Sequence, residues 1–119
     1  MRQAIKKILI QRADRIGDVI LALPAIESLH RVYPDAELHF LTSHVGKKCV
    51  EGHPFLSRIL VAEWASSDLT NESILLERIR EESYDCYIAL WNNAPLAKLA
   101  KKTQRNPQVN CAAASKGVP

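Results

Sequence analysis

Short apolar runs alternate with amphipathic stretches along most of the chain. Residues 7–12 contain the short apolar and partly β-branched run Ile8–Ile10, which predicts a buried strand. Similar runs at residues 37–42, 58–62 and 85–91 predict three more strands. Apolar residues recur at helical spacing over residues 17–33, 74–79 and 94–102, and a short helix is also predicted over residues 46–52. Pro24 should kink the first of these helices or start a second one.

This alternation of strands and helices indicates an α/β fold. Strands separated by helices of this length form parallel sheets. We therefore predict a Rossmann-like parallel sheet of about four strands with flanking helices in one domain, residues 1–102. The pattern fails after Thr103, and residues 103–119 are predicted to be a basic, poorly ordered tail. A doubly wound domain usually continues with further strands and helices, so we expect a truncated polypeptide.

Composition and charge narrow the class of protein. The chain has 119 residues, 47% of them hydrophobic, enough for the core of one domain. Residues 1–85 carry 11 Lys or Arg and 13 Asp or Glu, whereas residues 86–119 carry five Lys or Arg and no acid. A basic end can meet phosphate, nucleic acid or an anionic membrane, but we interpret this one as solvated and expect no nucleic-acid partner.

Apolar segments and metal-binding spacings bear on location and cofactors. The apolar run at Ile8–Ile10 is too short for a signal peptide, and no stretch approaches the roughly 20 apolar residues of a membrane span. We therefore expect a cytoplasmic protein. The histidines lack metal-site spacing and the cysteines form no CxxC motif, so we expect no metal ion, and no sequence feature predicts a cofactor.

The richest candidate for chemistry is the segment after the first strand. Ligands of open parallel sheets bind beyond the carboxyl ends of the strands. Gly17 there would permit a tight turn and a close approach to the backbone, and the free N–H groups of the following helix would favour an anion. Asp18 has two interpretations: it complements the helix dipole, or it takes a proton from an attacking hydroxyl group. Residue types alone favour the first.

Four other groups lie at the predicted strand ends or on an exposed helix face. Arg12 and Arg15 flank the first loop and would suit an acceptor phosphate or carboxylate, unless they are solvated loop charges. The remaining groups have surface or packing interpretations as well; they are Lys47 with Lys48, the helix face of Lys98, Lys101 and Lys102, and Trp91 with Asn92 and Asn93.

One extended motif favours the functional interpretation of Asp18 over the structural one. Residues 8–26 read ILIQRADRIGDVILALPAI, an apolar strand followed by Arg, a short loop, Gly-Asp, an apolar turn and Leu-Pro-Ala. This string resembles the opening of the ADP-heptose:lipopolysaccharide heptosyltransferase family, glycosyltransferase family 9. Three later segments resemble the same family, YPDAEL at 33–38, GHPFLSRI at 52–59 and YDCYIAL at 84–90. The resemblance covers about residues 5–102.

The resemblance carries expectations about activity. The family has the GT-B fold, in which two Rossmann-like domains face a cleft, and it transfers heptose from ADP-heptose to the lipopolysaccharide core with inversion. Asp18 matches the general base proposed for the family, and Gly17 matches the glycine beside it. The C-terminal domain of a GT-B enzyme holds most of the donor, so the resemblance implies that this chain is an N-terminal, acceptor-side portion that is inactive alone. Such a portion is expected to expose an apolar interdomain face and to use a second-half polypeptide. It also allows contact with the cytoplasmic face of the inner membrane.

A different class of function is compatible with the same elements. A small α/β module that binds a phosphorylated ligand or a protein would also use its strand ends. A receiver-like version would pair acids after the first strand and place a lysine after a late strand. Asp14 and Asp18 are present, but they follow Arg12 rather than standing as a pair.

Overall fold

The computed structural model describes residues 5–13, 16–66, 68–91 and 93–103. Strands and helices alternate over nearly all of this part of the chain. In chain order they are β1 (Lys7–Gln11), α1 (Ile16–Ile20), α2 (Leu23–Val32), β2 (Glu37–Thr42), α3 (His44–Val50), β3 (Leu56–Val61), β4 (Trp64–Ala65), β5 (Asp68–Leu69), α4 (Glu72–Glu82), β6 (Cys86–Ala89) and α5 (Ala94–Thr103).

The main sheet has four parallel strands in the order β3-β2-β1-β6. Strand β1 lies between β2 and β6, with Ile8 opposite Leu38 on one side and Cys86 on the other. The predicted α/β class and the four-stranded parallel sheet are therefore confirmed. Strands β4 and β5 form a separate antiparallel pair.

The core lies on both faces of the sheet. Alternate residues of a strand point to opposite faces, so Ile8 and Ile10 pack on one side and Leu9 on the other. Helices α1, α2 and α3 supply Val19, Ile26 and Val50 to the first core. The second core also contains buried residues of α4 and α5; they are Leu75, Ile79, Leu96 and Leu99. The result is a sheet between two layers of helices, the arrangement expected when strands are apolar on both faces.

Three local features differ from the sequence predictions or sharpen them. Pro24 lies in the first turn of α2, where its missing N–H costs little, so the chain forms two helices separated by Leu21 and Ala22. The segment between β3 and α4 contains the short strands β4 and β5, which the sequence pattern did not predict. Thr103 is the last residue of α5 rather than the first of a tail, and residues 104–119 lie outside the described residues.

Charged side chains meet at the amino edge of the sheet. Lys7 Nζ lies 2.8 Å from Glu82 Oε1, and Arg58 Nε lies 3.4 Å from Glu82 Oε2. The hydrogen bond from Lys7 and its charge lower the pKa of Glu82 despite the opposing effect of desolvation. These contacts join the start of β1 to the end of α4.

A buried histidine is satisfied near the same edge. His39 in β2 is almost fully buried, with Nδ1 2.7 Å from the Tyr84 hydroxyl and Nε2 3.0 Å from Glu37 Oε1. Burial raises the pKa of Tyr84, so its hydroxyl stays protonated. His39 therefore serves packing, as its place inside an apolar strand suggests. Among the described residues no helix is long and apolar enough to cross a membrane.

Candidate functional site

The carboxyl edge of the sheet gathers four strand ends. Strand β1 ends at Gln11, β2 at Thr42, β3 at Val61 and β6 at Ala89. From β1 the chain proceeds to β2 and β3 on one side, and later to β6 on the other. The crevice between β1 and β6 is thus the topological switch point, where ligands of open α/β sheets bind.

Asp18 lies at this edge in the first turn of α1. Its side chain is 34% exposed, and Oδ1 lies 3.6 Å from Arg12 Nη2. An ionised carboxylate accepts hydrogen bonds and can take a proton from a hydroxyl group that reaches it. Asp18 therefore combines solvent access, a cationic neighbour and a place beside the switch point.

Arg12 is the first residue after β1 and is held from several directions. Its backbone N–H donates to the carbonyl oxygen of Leu41 at 3.0 Å. Its guanidinium group donates from Nη1 to the carbonyl oxygen of Leu90 at 3.3 Å and faces Asp18 through Nη2. The side chain is 22% exposed. Arg12 is thus engaged with the protein itself, a feature that the sequence did not indicate.

Gln11 is a residue of this edge that the sequence interpretation missed. It is fully buried, donates from Nε2 to the carbonyl oxygen of Trp91 at 2.7 Å, and accepts at Oε1 from the Tyr87 hydroxyl. Burial raises the pKa of Tyr87, which keeps that hydroxyl protonated as a donor. The available signal was a glutamine closing an otherwise apolar strand, because a buried amide needs partners.

Gly17 does not play the conformational role predicted for it. It lies within α1, and Gly52 is the glycine with a left-handed backbone among the described residues. A Cβ atom built at Gly17 meets no described atom within 4 Å. The tight-turn part of the prediction is therefore wrong, whereas the described residues leave open space at Gly17 for a close approach to the backbone beside Asp18.

Gly46, in contrast, is required for packing. A Cβ atom at Gly46 would lie 2.0 Å from Thr42 Oγ1 and 3.1 Å from Val19 Cγ2. Ser43 caps α3 by accepting from Gly46 N–H at 3.1 Å. The close approach of α3 to the end of β2 and to Val19 fixes α1, and with it the neighbouring Asp18.

The other predicted positions contribute less to this edge. Arg15 and Asn92 lie outside the described residues. Lys47 and Lys48 are exposed on α3. Asn93 Oδ1 accepts from Leu96 N–H at 3.1 Å, so it caps α5 rather than facing a ligand. The lysines of α5 remain surface charges, and Lys102 pairs with Glu72 at 3.0 Å.

Trp91 packs against the second core and contributes its carbonyl oxygen to the Gln11 hydrogen bond. Over residues 5–13, 16–66, 68–91 and 93–103, no cluster of three or more His, Cys, Asp or Glu side chains is placed to bind a metal ion.

Solved structures share this fold. A glycosyl transferase family 9 structure from Veillonella parvula superposes with a TM-score of 0.77 at 21% identity, over 87% of this chain and 31% of that one. The E. coli heptosyltransferase WaaC with ADP gives a TM-score of 0.69 at 15% identity, over 89% of this chain and 34% of that one. The chain has the fold found in glycosyltransferase family 9. The resemblance seen in the sequence is thereby confirmed at the level of the fold.

Two further comparisons set the extent of this likeness. A Haemophilus influenzae protein named "Putative glycosyltransferase" is 29% identical over 98 residues, which are 82% of this chain and 28% of that protein. No protein-family model matches the chain. The chain therefore spans about a third or less of the length of each of these proteins.

Proposed function

We propose that this chain is the N-terminal, acceptor-side portion of an inverting heptosyltransferase, with Asp18 as the general base. The observation that carries the proposal is the position of the Asp18 carboxylate. It is accessible at the switch point of the sheet and lies beside Arg12. The fold shared with solved heptosyltransferases and the motif at residues 8–26 support the same assignment.

The reaction assigned to this site is a single displacement. Asp18 accepts the proton of an acceptor hydroxyl group as that oxygen forms a bond to the anomeric carbon of the donor sugar. The bond from that carbon to the phosphate oxygen of ADP breaks, and ADP leaves with the electron pair. Attack from the face opposite ADP inverts the anomeric centre. Gly17 leaves room for the acceptor beside the carboxylate, and Arg15 is the cation proposed to line its approach.

The donor is proposed to be ADP-heptose and the acceptor the lipopolysaccharide core. Solved WaaC structures contain ADP or ADP-2-deoxy-2-fluoro heptose, which supports a nucleotide-sugar donor. In the GT-B fold the second domain holds most of that donor, so the chain alone is expected to bind the acceptor without catalysing transfer. Such a protein would work in the cytoplasm, at the inner face of the membrane that holds the acceptor.

A second-half polypeptide would complete this site. Near the carboxyl edge, Ile20 and Leu21 at the end of α1 and Val45 at the start of α3 are each about half exposed or more. Helices α1 and α3 pack against each other, which brings these apolar side chains to one region of the surface. Exposed apolar groups of this kind favour burial against a partner.

Acceptor binding tests the proposal on the chain itself. We would titrate the isotope-labelled 119-residue chain with core oligosaccharide from heptose-deficient lipopolysaccharide and follow its amide NMR signals. We expect saturable shifts concentrated at Gly17, Asp18 and neighbouring residues. Gly17→Leu should bind more weakly, whereas the control Ser57→Leu, at an exposed position near the amino end of β3, should bind as the wild type does. No binding, or shifts confined to the amino edge, would contradict the proposal.

The alternative of a phospho-ligand or protein-binding module gains no support from the described residues. Asp14, the second acid that a receiver-like site would use, lies outside them. At the end of β6 the described neighbours of the crevice are Leu90 and Trp91 rather than a lysine.

A further inference from the structure

Two adjacent side chains cross the crevice between β1 and β6. Gln11 Nε2 donates to the carbonyl oxygen of Trp91, and Arg12 Nη1 donates to that of Leu90. The backbone reinforces the link, because Leu90 N–H donates to the carbonyl oxygen of Gln11 at 2.9 Å. Gln11 and Arg12 therefore connect the end of β1 to Leu90 and Trp91, the two residues that follow β6.

The guanidinium group of Arg12 extends this link to α1. One terminal nitrogen donates to the carbonyl oxygen of Leu90 at 3.3 Å, and the other lies 3.6 Å from Asp18 Oδ1. A planar guanidinium group can hold two partners in fixed directions at once, whereas an ammonium group is a point charge on a flexible stem. An arginine at this position is therefore suited to bridge α1 and the segment after β6.

We propose that Arg12 is a positioning residue, which orients the Asp18 carboxylate by tying it to the segment after β6. This inference rests on the proposed function insofar as Asp18 is the base being oriented. It replaces the role of Arg12 as a ligand for an anionic acceptor, since its terminal nitrogens are already directed at Leu90 and Asp18. We expect a displacement of either segment to move the other through the two contacts of this side chain.

The test uses the full chain without ligand. Asp18→Asn removes the charge that faces Arg12, and the amide NMR signals of Leu90 and Trp91 report whether the effect crosses the crevice. We expect both signals to shift in the wild-type background and to shift by less than half as much in the Arg12→Gln and Arg12→Lys backgrounds. Glu82→Gln, which breaks an ion pair at the amino edge, is the matched control and should leave both signals in place.

Several results would overturn the inference. Equal shifts with and without Arg12, or no shift in any background, would show that Arg12 does not connect the two segments. Full coupling in Arg12→Lys would show that charge suffices and that the guanidinium fork is not needed. If Arg12→Gln fails to fold, the comparison of wild type with Arg12→Lys still decides the matter.

An acceptor titration separates the positioning role from a binding role. If Arg12 positions Asp18, the charge-removing variant Arg12→Gln binds core oligosaccharide within about twofold of wild type, well below the tenfold change that a lost interaction of 1.4 kcal/mol produces. A tenfold or greater loss of affinity would show that Arg12 binds the acceptor directly. The ligand-free coupling does not depend on sugar transfer, so failure of the proposed function and failure of this inference give different results.

Discussion

Replacing Gly17 with alanine should stabilise the chain. Gly17 lies in α1 with helical backbone, and a Cβ atom there meets no described atom within 4 Å. Alanine exceeds glycine in helix propensity by about 1 kcal/mol in a helix interior. Because Gly17 is near the start of a five-residue helix, we expect about 0.5–1 kcal/mol of added stability, or roughly 2–8 °C in Tm for a domain of this size.

Gly46→Ala provides the matched comparison in a second short helix. Its Cβ atom would lie 2.0 Å from Thr42 Oγ1 and 3.1 Å from Val19 Cγ2. Overpacking of this kind costs about 1–3 kcal/mol, which exceeds the gain in helix propensity. Thermal and urea denaturation of both variants measure the difference. A Gly17→Ala variant less stable than wild type, or a Gly46→Ala variant as stable as wild type, would refute the reasoning.

Two further predictions concern the polar contacts at the two edges. Gln11→Leu should lower the free energy of unfolding measured in urea by about 2–4 kcal/mol, because it leaves the Trp91 carbonyl and the Tyr87 hydroxyl without their partner. Tyr87→Phe should lower it by less, and equal losses in the two variants would contradict this explanation. The hydrogen bond from Lys7 lowers the pKa of Glu82 in the folded chain. Ionised Glu82 therefore contributes its full stabilisation above the ordinary pKa of 4.5, and this stabilisation is lost as the pH falls through the lower pKa of the folded chain. Stability measured from pH 6 downward should therefore fall less in Glu82→Gln than in wild type, and identical pH profiles would show that this pair has no such role.

Periodicity predicted the sheet because the strands are buried on both faces. Runs such as residues 37–42 are apolar enough to be recognised without knowledge of their neighbours, and the structure places that strand at Glu37–Thr42. The short pair β4 and β5 was not predicted, since two-residue strands carry no usable period and depend on contacts such as Asn71 with Glu63 and Val61.

The site was predictable in place but not in detail. The rule for parallel sheets and the Gly-Asp motif located Asp18 correctly at the carboxyl edge. The partners of Arg12 and Gln11 across the crevice lie 78 and 80 residues away in sequence, so only the folded chain shows that these side chains bridge it. The tight turn predicted at Gly17 was wrong, because residue type alone does not distinguish a glycine needed for a turn from one that leaves open space.

Sugar transfer by a hybrid enzyme tests the central claim most directly. The hybrid would carry the full chain in place of the matched third of E. coli heptosyltransferase WaaC, with ADP-heptose and heptose-deficient lipopolysaccharide as substrates. If Asp18 is the general base, Asp18→Asn lowers kcat by roughly 10²- to 10⁴-fold, while Asp85→Asn at the amino edge leaves it near the parent value. A hybrid whose kcat is unchanged by Asp18→Asn would contradict the assignment of Asp18 as the base.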